Sequence, residues 1–245
     1  MGTPRRGCVM FLEVLRWLVD PANWAGRQGI PTRLLEHAQV AFPAIVAAAA
    51  LAIPTGVVTG HARRGGTIAA AIANLGRAIP TLGLLVIALL ITLALGLRME
   101  YWPTFVALFL VGLHPMFTNA YTAVRDADRA AVEAARGMGL RERDVLLHVE
   151  LPLASPVILA AVRVAAVQIV ATAPIGALVA GGGLGRYVID GFYQRDFAEM
   201  LGGIVLIAGV ALVTERLFDL LERAAVPTGI QRTSAGSVAH TARAV

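Results

Sequence analysis

The chain has 245 residues, of which 57% are hydrophobic and 15% are charged. Soluble domains carry about 25% charged residues, so this composition, with a mean hydropathy of +0.71, indicates an integral membrane protein and excludes an ordinary soluble domain. The net charge of +5 comes from arginines spread over the loops, which argues against a nucleic-acid-binding surface. Cys8 is the only cysteine, so neither an internal disulfide nor a cysteine metal cluster can form.

Residues 1–39 are predicted to form an N-terminal segment at the membrane surface. The apolar run from Val9 to Val19 contains Glu13 and Arg16, and it is shorter than the about 20 residues that a crossing helix needs. We therefore expect an amphipathic helix in the interface, with Trp17 at headgroup level. A spanning helix is the alternative, and it would place the N-terminal arginines in the cytoplasm.

Five apolar stretches are predicted to cross the membrane and to form one all-α domain over residues 40–222. Each is close to the about 20 residues that a bilayer requires. They are residues 40–60, 79–97, 103–124, 155–179 and 197–221, with a bent or surface stretch at 67–78 before the second. Residues 223–245 are a polar tail that we expect to be disordered.

The distribution of arginines predicts the orientation of these spans. Cytoplasmic loops are enriched in basic residues, which favours the cytoplasm for residues 61–66, for residues 125–154 and for the C-terminal tail. Five crossings then place the N-terminus outside, and the arginines of residues 1–39 conflict with this orientation.

A polar segment from Arg125 to Pro152 lies between strongly apolar stretches. Its first half has helical spacing and places four side chains on one face: Ala127, Ala131, Ala134 and Met138. Gly139 is predicted to end this helix as a C-cap. A second short helix is predicted from about Arg141 to Val149, stopped by Leu151-Pro152. Two short helices joined at a glycine suit docking by another protein.

The spacing within this segment is similar to the EAA signature of ABC importer permeases, EAA-x3-G-x9-I-x-LP. The matching residues are Glu133, Ala134, Ala135, Gly139, Val149, Leu151 and Pro152. The resemblance implies an all-α integral membrane protein of type I ABC importer permease architecture, in which this segment docks into a groove of the ATPase subunit. The alternative is a solvated helix whose Glu133 pairs with Arg129 and Arg136, worth about 0.3–0.5 kcal/mol per pair.

Other stretches resemble the osmoprotectant permeases, which carry glycine betaine, carnitine and choline. They are IPTLGLL at residues 79–85, residues 133–163 as a whole, and a glycine turn formed by Gly181, Gly182, Gly183 and Gly185. The resemblance places this turn on the outer face, near the docking site of a substrate-binding protein. Methionine and sulfonate permeases share the EAA segment and remain an alternative. A phosphate-binding loop is excluded because no GK[ST] follows these glycines.

The resemblance also implies partners for this chain. An ATP-binding subunit would supply ATP hydrolysis because the chain has no Walker motif. An extracytoplasmic substrate-binding protein would capture the substrate, and a second permease subunit, identical or related, would enclose the path. Membrane lipid would surround the spans, and no nucleic acid, cofactor or metal is expected.

An intramembrane enzyme and a membrane scaffold without transport are the rival classes. The enzyme is disfavoured because no HExxH motif is present, so no catalytic residue is predicted. Ser155 lies at a membrane boundary, and the remaining serines, Ser234 and Ser237, lie in the tail. Co-purification of an ATP-hydrolysing subunit through residues 125–152 would separate a permease from a scaffold.

The fourth predicted span carries a polar stripe formed by Gln168, Thr172 and Gly176, and Arg163 lies near the same stripe, earlier in the chain. Polar groups are expensive at this depth, so we expect them to face the bundle interior or a watery path. The functional interpretation is that they line the translocation route between two permease subunits. The alternative is hydrogen bonding between helices, with Arg163 reaching towards the cytoplasmic boundary.

Overall fold

A computed structural model describes residues 4–63, 65–67, 69, 71 and 80–225. The helices are α1 (Pro4–Val19), α2 (Ile30–His61), α3 (Thr81–Ala94), α4 (Trp102–Arg125), α5 (Arg129–Gly137), α6 (Glu142–Val145), α7 (Leu151–Thr172), α8 (Gly185–Gln194) and α9 (Phe197–Ala225). Two 3-10 helices, Pro21–Trp24 and Ala173–Val179, and a π-helical turn, Leu146–Glu150, lie between them. The predicted all-α class is confirmed.

Four helical stretches in the described part of the chain are long and apolar enough to cross a membrane. They are Ile30–His61, Trp102–Arg125, Glu142–Val179 and Phe197–Ala225. The apolar helix α3 has 14 residues, about 21 Å at 1.5 Å per residue, against a hydrocarbon core of about 30 Å. Helix α3 lies within the second predicted span, residues 79–97, and is shorter than the four helical stretches above. Most of the stretch at 67–78 and residues 226–245 of the predicted tail lie outside the described residues.

The helix that contains the first predicted span begins at Ile30, ten residues before the predicted start of the span. Its first turns carry charged residues, and their charges are satisfied there. Arg33 Nη1 donates to Glu36 Oε2 at 2.9 Å, and the same oxygen accepts the N–H of Gly183 at 2.8 Å. A paired charge costs far less inside a helix bundle than an isolated one.

Pro152 does not stop the helix that precedes it, so that prediction is wrong, and the helical stretch that contains the fourth predicted span begins before residue 155. The N–H of Leu151 donates to the carbonyl of Leu146, so this turn of the helix is one residue wider than an α-helical turn. The wider turn lies directly before Pro152, whose ring would clash with the preceding turn of a regular α-helix. Further on, Ser155 Oγ donates to the Pro152 carbonyl at 2.9 Å, the group that Pro156 leaves without a backbone donor.

The first compact unit contains the described residues of Met1–Ala47, Arg77–Gly112 and Ala166–Thr214. Tyr187 of α8 lies in its core, and its hydroxyl donates to the Gln28 carbonyl at 2.6 Å. The Tyr187 ring meets Trp17 edge-on, with 5.1 Å between centroids. Gly202 of α9 lies against the Trp17 ring, where a Cβ would overlap it. These contacts hold α1 against α8 and α9.

The second compact unit contains the described residues of Ala48–Gly76, Leu113–Ala165 and Glu215–Val245. Its helices α2 and α4 approach closely at Gly56 and Gly60. A Cβ at Gly56 would lie 2.8 Å from the Phe117 carbonyl oxygen, and one at Gly60 would lie 2.7 Å from that of Tyr121. Small residues four apart allow this backbone-to-backbone packing between membrane helices.

Candidate functional site

Helix α5 has a cap at each end that its own sequence supplies. Asp128 Oδ1 accepts an N–H of the first turn at 2.9 Å, which fixes the start of the helix at Arg129 rather than at Arg125. Gly139 has φ +82, and its N–H donates to the Arg136 carbonyl at 2.9 Å. The Leu140 N–H donates to the carbonyl five residues earlier at 3.2 Å, which completes a Schellman motif. The predicted C-cap glycine is confirmed.

One face of α5 is buried within the second unit. Val132, Ala135 and Val145 are 1%, 2% and 0% exposed, and Leu140 and Val149 pack against them. Of the residues that match the EAA signature, Ala135 and Val149 therefore hold α5 against α6 and the π-helical turn. Leu151 packs against a neighbouring cluster that includes Val57 and Ala120. Pro152 beside it is half-buried.

The opposite face of α5 is exposed, and we call it the coupling face. It consists of Ala130, Glu133, Ala134, Gly137 and Met138, which recur at the three- and four-residue spacing of one helix face. Met138 is 75% exposed. Small side chains allow another backbone to come close, and Glu133 adds one negative charge. The predicted face through Ala127 is wrong, since Ala127 precedes α5 and is buried.

Arg136 pairs with Glu142 and not with Glu133. Arg136 Nε and Nη2 donate to the Glu142 carboxylate at 2.9 and 2.8 Å, and this carboxylate raises the pKa of the Arg136 guanidinium. Among the described residues Glu133 forms no ion pair within 4.0 Å. The interpretation of Glu133 as half of a surface pair is therefore not what the structure shows.

The sequence pattern did not identify Glu150 as part of this site. Its side chain is fully buried, and its Oε2 lies 2.6 Å from Nδ1 of His61 at the end of α2. The other ring nitrogen of His61 lies 3.6 Å from Glu142 Oε2. Glu150 occupies a position that the EAA spacing leaves free, so the motif gave no signal. Its carboxylate in the apolar run LLHVELP was the available signal.

The structure separates the residues predicted to line a path. The α-helix ends at Thr172, and a 3-10 helix with Pro174 in its first turn follows, so the four-residue stripe does not continue to Gly176. Gln168 is exposed, Thr172 is half-buried and Gly176 is buried. A Cβ at Gly176 would overlap the side chain of Thr104, so this glycine permits close packing.

Arg163 lies in a cluster of charges within the second unit. Its Nη1 is 3.1 Å from Asp219 Oδ1 and 3.2 Å from Glu222 Oε2, both on α9. Its side chain is 29% exposed, so the guanidinium is satisfied by carboxylates of a neighbouring helix. This geometry supports the structural interpretation of Arg163 over a place on the path.

The glycine turn after the fourth span is followed directly by α8, which begins at Gly185, the last of the four predicted glycines. Gly183 has φ +84, and Gly182 lies against the Glu36 carboxylate. Gly185 lies against the Pro174 carbonyl, and Gly181 is buried. A polar cavity of about 410 Å³ adjoins this turn, and arginines and carboxylates line it: Arg33, Glu36, Arg98, Glu100 and Arg186.

The part of the chain that contains the coupling face and most of the spans matches a known protein family. Residues 52–226 match the binding-protein-dependent transport system inner membrane component. The chain belongs to this family of permeases. The permease is 32% identical over 199 residues to the choline transport system permease protein OpuBB of Bacillus subtilis (strain 168), covering 80% of this chain and 88% of the relative.

A second relative of the permease is the carnitine transport permease protein OpuCD of Listeria monocytogenes. It is 31% identical over 222 residues, covering 90% of this chain and 97% of the relative. The fold is similar to that in inward-facing conformations of the MetNI methionine ABC transporter, with a TM-score of 0.72, 22% identity, and coverage of 84% of this chain and 98% of that one. The permease is thus a multi-pass transport subunit of the plasma membrane with the type I ABC importer fold.

Proposed function

We propose that this permease is the membrane-spanning subunit of an ATP-driven importer for a quaternary-ammonium osmoprotectant. The coupling face carries the proposal, because it combines small residues, the carboxylate of Glu133 and the exposed Met138 on a capped helix between two spans. Such a face suits insertion into a groove of a separate ATPase subunit. We assign the contact itself to Glu133 and Ala134, and we assign the shape and support of the coupling element to Ala135, Gly139, Val149, Leu151 and Pro152.

A second permease subunit, identical or related, completes the path. Gln168 supports this, because it is exposed within a membrane span and its side chain forms no hydrogen bond with the described residues. Facing lipid, its amide would remain unsatisfied at a considerable cost. Facing another permease subunit across a watery path, it would be solvated. Gln168 and Thr172 are the residues that we assign to the path, with Gly176 shaping the adjacent packing.

The substrate class follows from what the relatives are named for. Choline and carnitine share a trimethylammonium group, which proteins bind by cation–π attraction to aromatic side chains. We assign that recognition to the extracytoplasmic substrate-binding protein, which docks near the glycine turn of Gly181, Gly182, Gly183 and Gly185. ATP hydrolysis in the ATPase subunit then moves residues 125–152 of each permease subunit, which we call the coupling segment. This movement switches the path by rigid-body motion, without chemistry in this chain. A methionine or sulfonate importer is the alternative.

For the membrane orientation of the permease we propose the one that the arginine distribution predicts, with residues 125–154 in the cytoplasm and the glycine turn outside. In a chain with Cys8 replaced by serine, single cysteines at Arg141 and at Tyr193 test it. Both side chains are exposed, Tyr193 by 77%. A membrane-impermeant maleimide added to intact cells should label position 193 and leave position 141 unlabelled. Labelling of both positions from the same side contradicts the orientation.

Deletion of the gene is expected to reduce uptake of choline, carnitine or glycine betaine at high osmolarity. Radiolabelled uptake in the deletion strain, compared with the same strain complemented by the intact gene, measures this. Methionine and taurine uptake in the same strains serve as controls and should not change. Loss of methionine or sulfonate uptake, with osmoprotectant uptake intact, would assign the permease to the other substrate class.

A further inference from the structure

We propose that His61 and Glu150 form a positioning pair, which ties the end of the first span to the coupling segment and transmits its movement to α2. In this proposal the pair acts through α2 and α5, and not by contact with ATP or with the transported molecule. The proposal rests on the proposed function, because it requires an ATPase that moves α5. It assigns a role to two residues outside the EAA spacing.

The geometry places His61 between two carboxylates of one continuous helical stretch. Its Nδ1 lies 2.6 Å from Glu150 Oε2, and its Nε2 lies 3.6 Å from Glu142 Oε2. The two carboxylates stand at the start of α6 and at the end of the π-helical turn. One imidazole at the end of α2 therefore contacts both ends of this stretch.

The contacts continue from this stretch into the helix that bears the coupling face. Arg136 of α5 donates two hydrogen bonds to the carboxylate of Glu142. The buried cluster of Val132, Ala135 and Val145 holds α5 against the same stretch. A displacement of α5 therefore carries Glu142 and Glu150 with it, and His61 is the residue of α2 that they would pull.

Stability alone does not account for Glu150. The residue is fully buried, yet its Oε1 has no hydrogen-bond partner among the described residues. A buried polar atom without a partner is unfavourable, and apolar residues of similar volume often replace a buried ion pair without loss of stability. A directional contact between α2 and the coupling segment is what the carboxylate provides and an apolar side chain would not.

Hydrogen–deuterium exchange of the assembled transporter, permease with its ATPase subunit in nanodiscs, tests the pair. Exchange is compared with and without ATP plus vanadate. In the wild type, trapping should change exchange both at residues 129–138 and at residues 57–63 of α2. In Glu150→Gln, which keeps the size of the side chain, the change at 129–138 should remain and the change at 57–63 should be lost.

A second variant allows the test to be made if Glu150→Gln does not fold or assemble. The double substitution His61→Phe with Glu150→Leu replaces the pair by apolar packing and should assemble, yet also lose the response at 57–63. If only one of the two variants assembles, its exchange response at residues 57–63 decides whether the pair has the proposed role. Arg223→Gln is the matched control, since it breaks the ion pair of the exposed Arg223 with Asp219 at 2.9 Å and should leave both responses intact.

A response at residues 57–63 that persists in an assembled variant overturns the proposal. The proposed function fails in a different way, because then the wild type itself would show no response at residues 129–138. Choline uptake by the same variants gives a second readout, and it should fall in both while binding of the ATPase subunit is retained. Normal uptake in both variants would also overturn the role of the pair.

Discussion

Gly139→Val is expected to abolish transport while the permease still inserts into the membrane. Gly139 has φ +82, a conformation that costs a residue with a Cβ about 1–2 kcal/mol, and a β-branched side chain is less suited still. The Schellman turn that orients α5 against the following helix would open. Because each 1.4 kcal/mol is about a factor of ten, a strain of this size corresponds to a loss of apparent affinity for the ATPase subunit of about five- to thirtyfold.

Asparagine at the same position is the matched control. Asn enters the left-handed region more readily than other residues with a side chain, and nothing lies within 4 Å of where a Cβ at residue 139 would stand. Gly139→Asn should therefore retain most of the transport that Gly139→Val loses. Equal uptake by the two variants would show that the turn at Gly139 does not matter for coupling.

Glu133→Arg is expected to abolish uptake through the coupling face itself. Breaking a buried charge pair at an interface costs about 2–5 kcal/mol, and reversing the charge adds repulsion. Within the chain the substitution places a third guanidinium near those of Arg129 and Arg136, which costs only about 0.2–0.5 kcal/mol per pair. Radiolabelled uptake at matched membrane expression measures the effect, and the stability of the isolated permease should hardly change.

Asp126→Arg is the charge-matched control for this substitution. Asp126 is exposed in the turn before α5 and lies outside the coupling face, so the same charge reversal should leave uptake close to that of the wild type. Equal losses in Asp126→Arg and Glu133→Arg would indicate a general effect of added positive charge. Such a result would remove the support for a specific contact at Glu133.

The features that could be predicted from the sequence are those set by local chemistry. Gly139 ends a helix because no other residue fits its φ as well, and a glycine after a helical pattern indicates this. The spans follow from the length of apolar runs. The EAA spacing predicts that this segment faces a partner, and that stays a prediction; in the structure Ala135 and Val149 pack inward while Glu133 and Ala134 remain exposed.

Two of the features that could not be predicted depend on partners distant in the chain. Glu150 and His61 are 89 positions apart, and neither belongs to a periodic pattern. Arg33 and Glu36 lie within α2, where the N–H of Gly183 donates to the Glu36 carboxylate. The sequence around residues 33–36 alone does not predict this partner. Pro152 reads as a helix stop, and only the π-helical turn before it reveals why the helix continues.

Retention of the ATPase subunit by affinity-purified permease tests most directly whether α5 is the coupling element. The wild type and Asp126→Arg should each retain the ATPase subunit in stoichiometric amount after size-exclusion chromatography. Glu133→Arg should be recovered as a folded permease from which the ATPase subunit has dissociated. Full retention of the ATPase subunit by Glu133→Arg, together with normal uptake, would contradict the assignment of the coupling face.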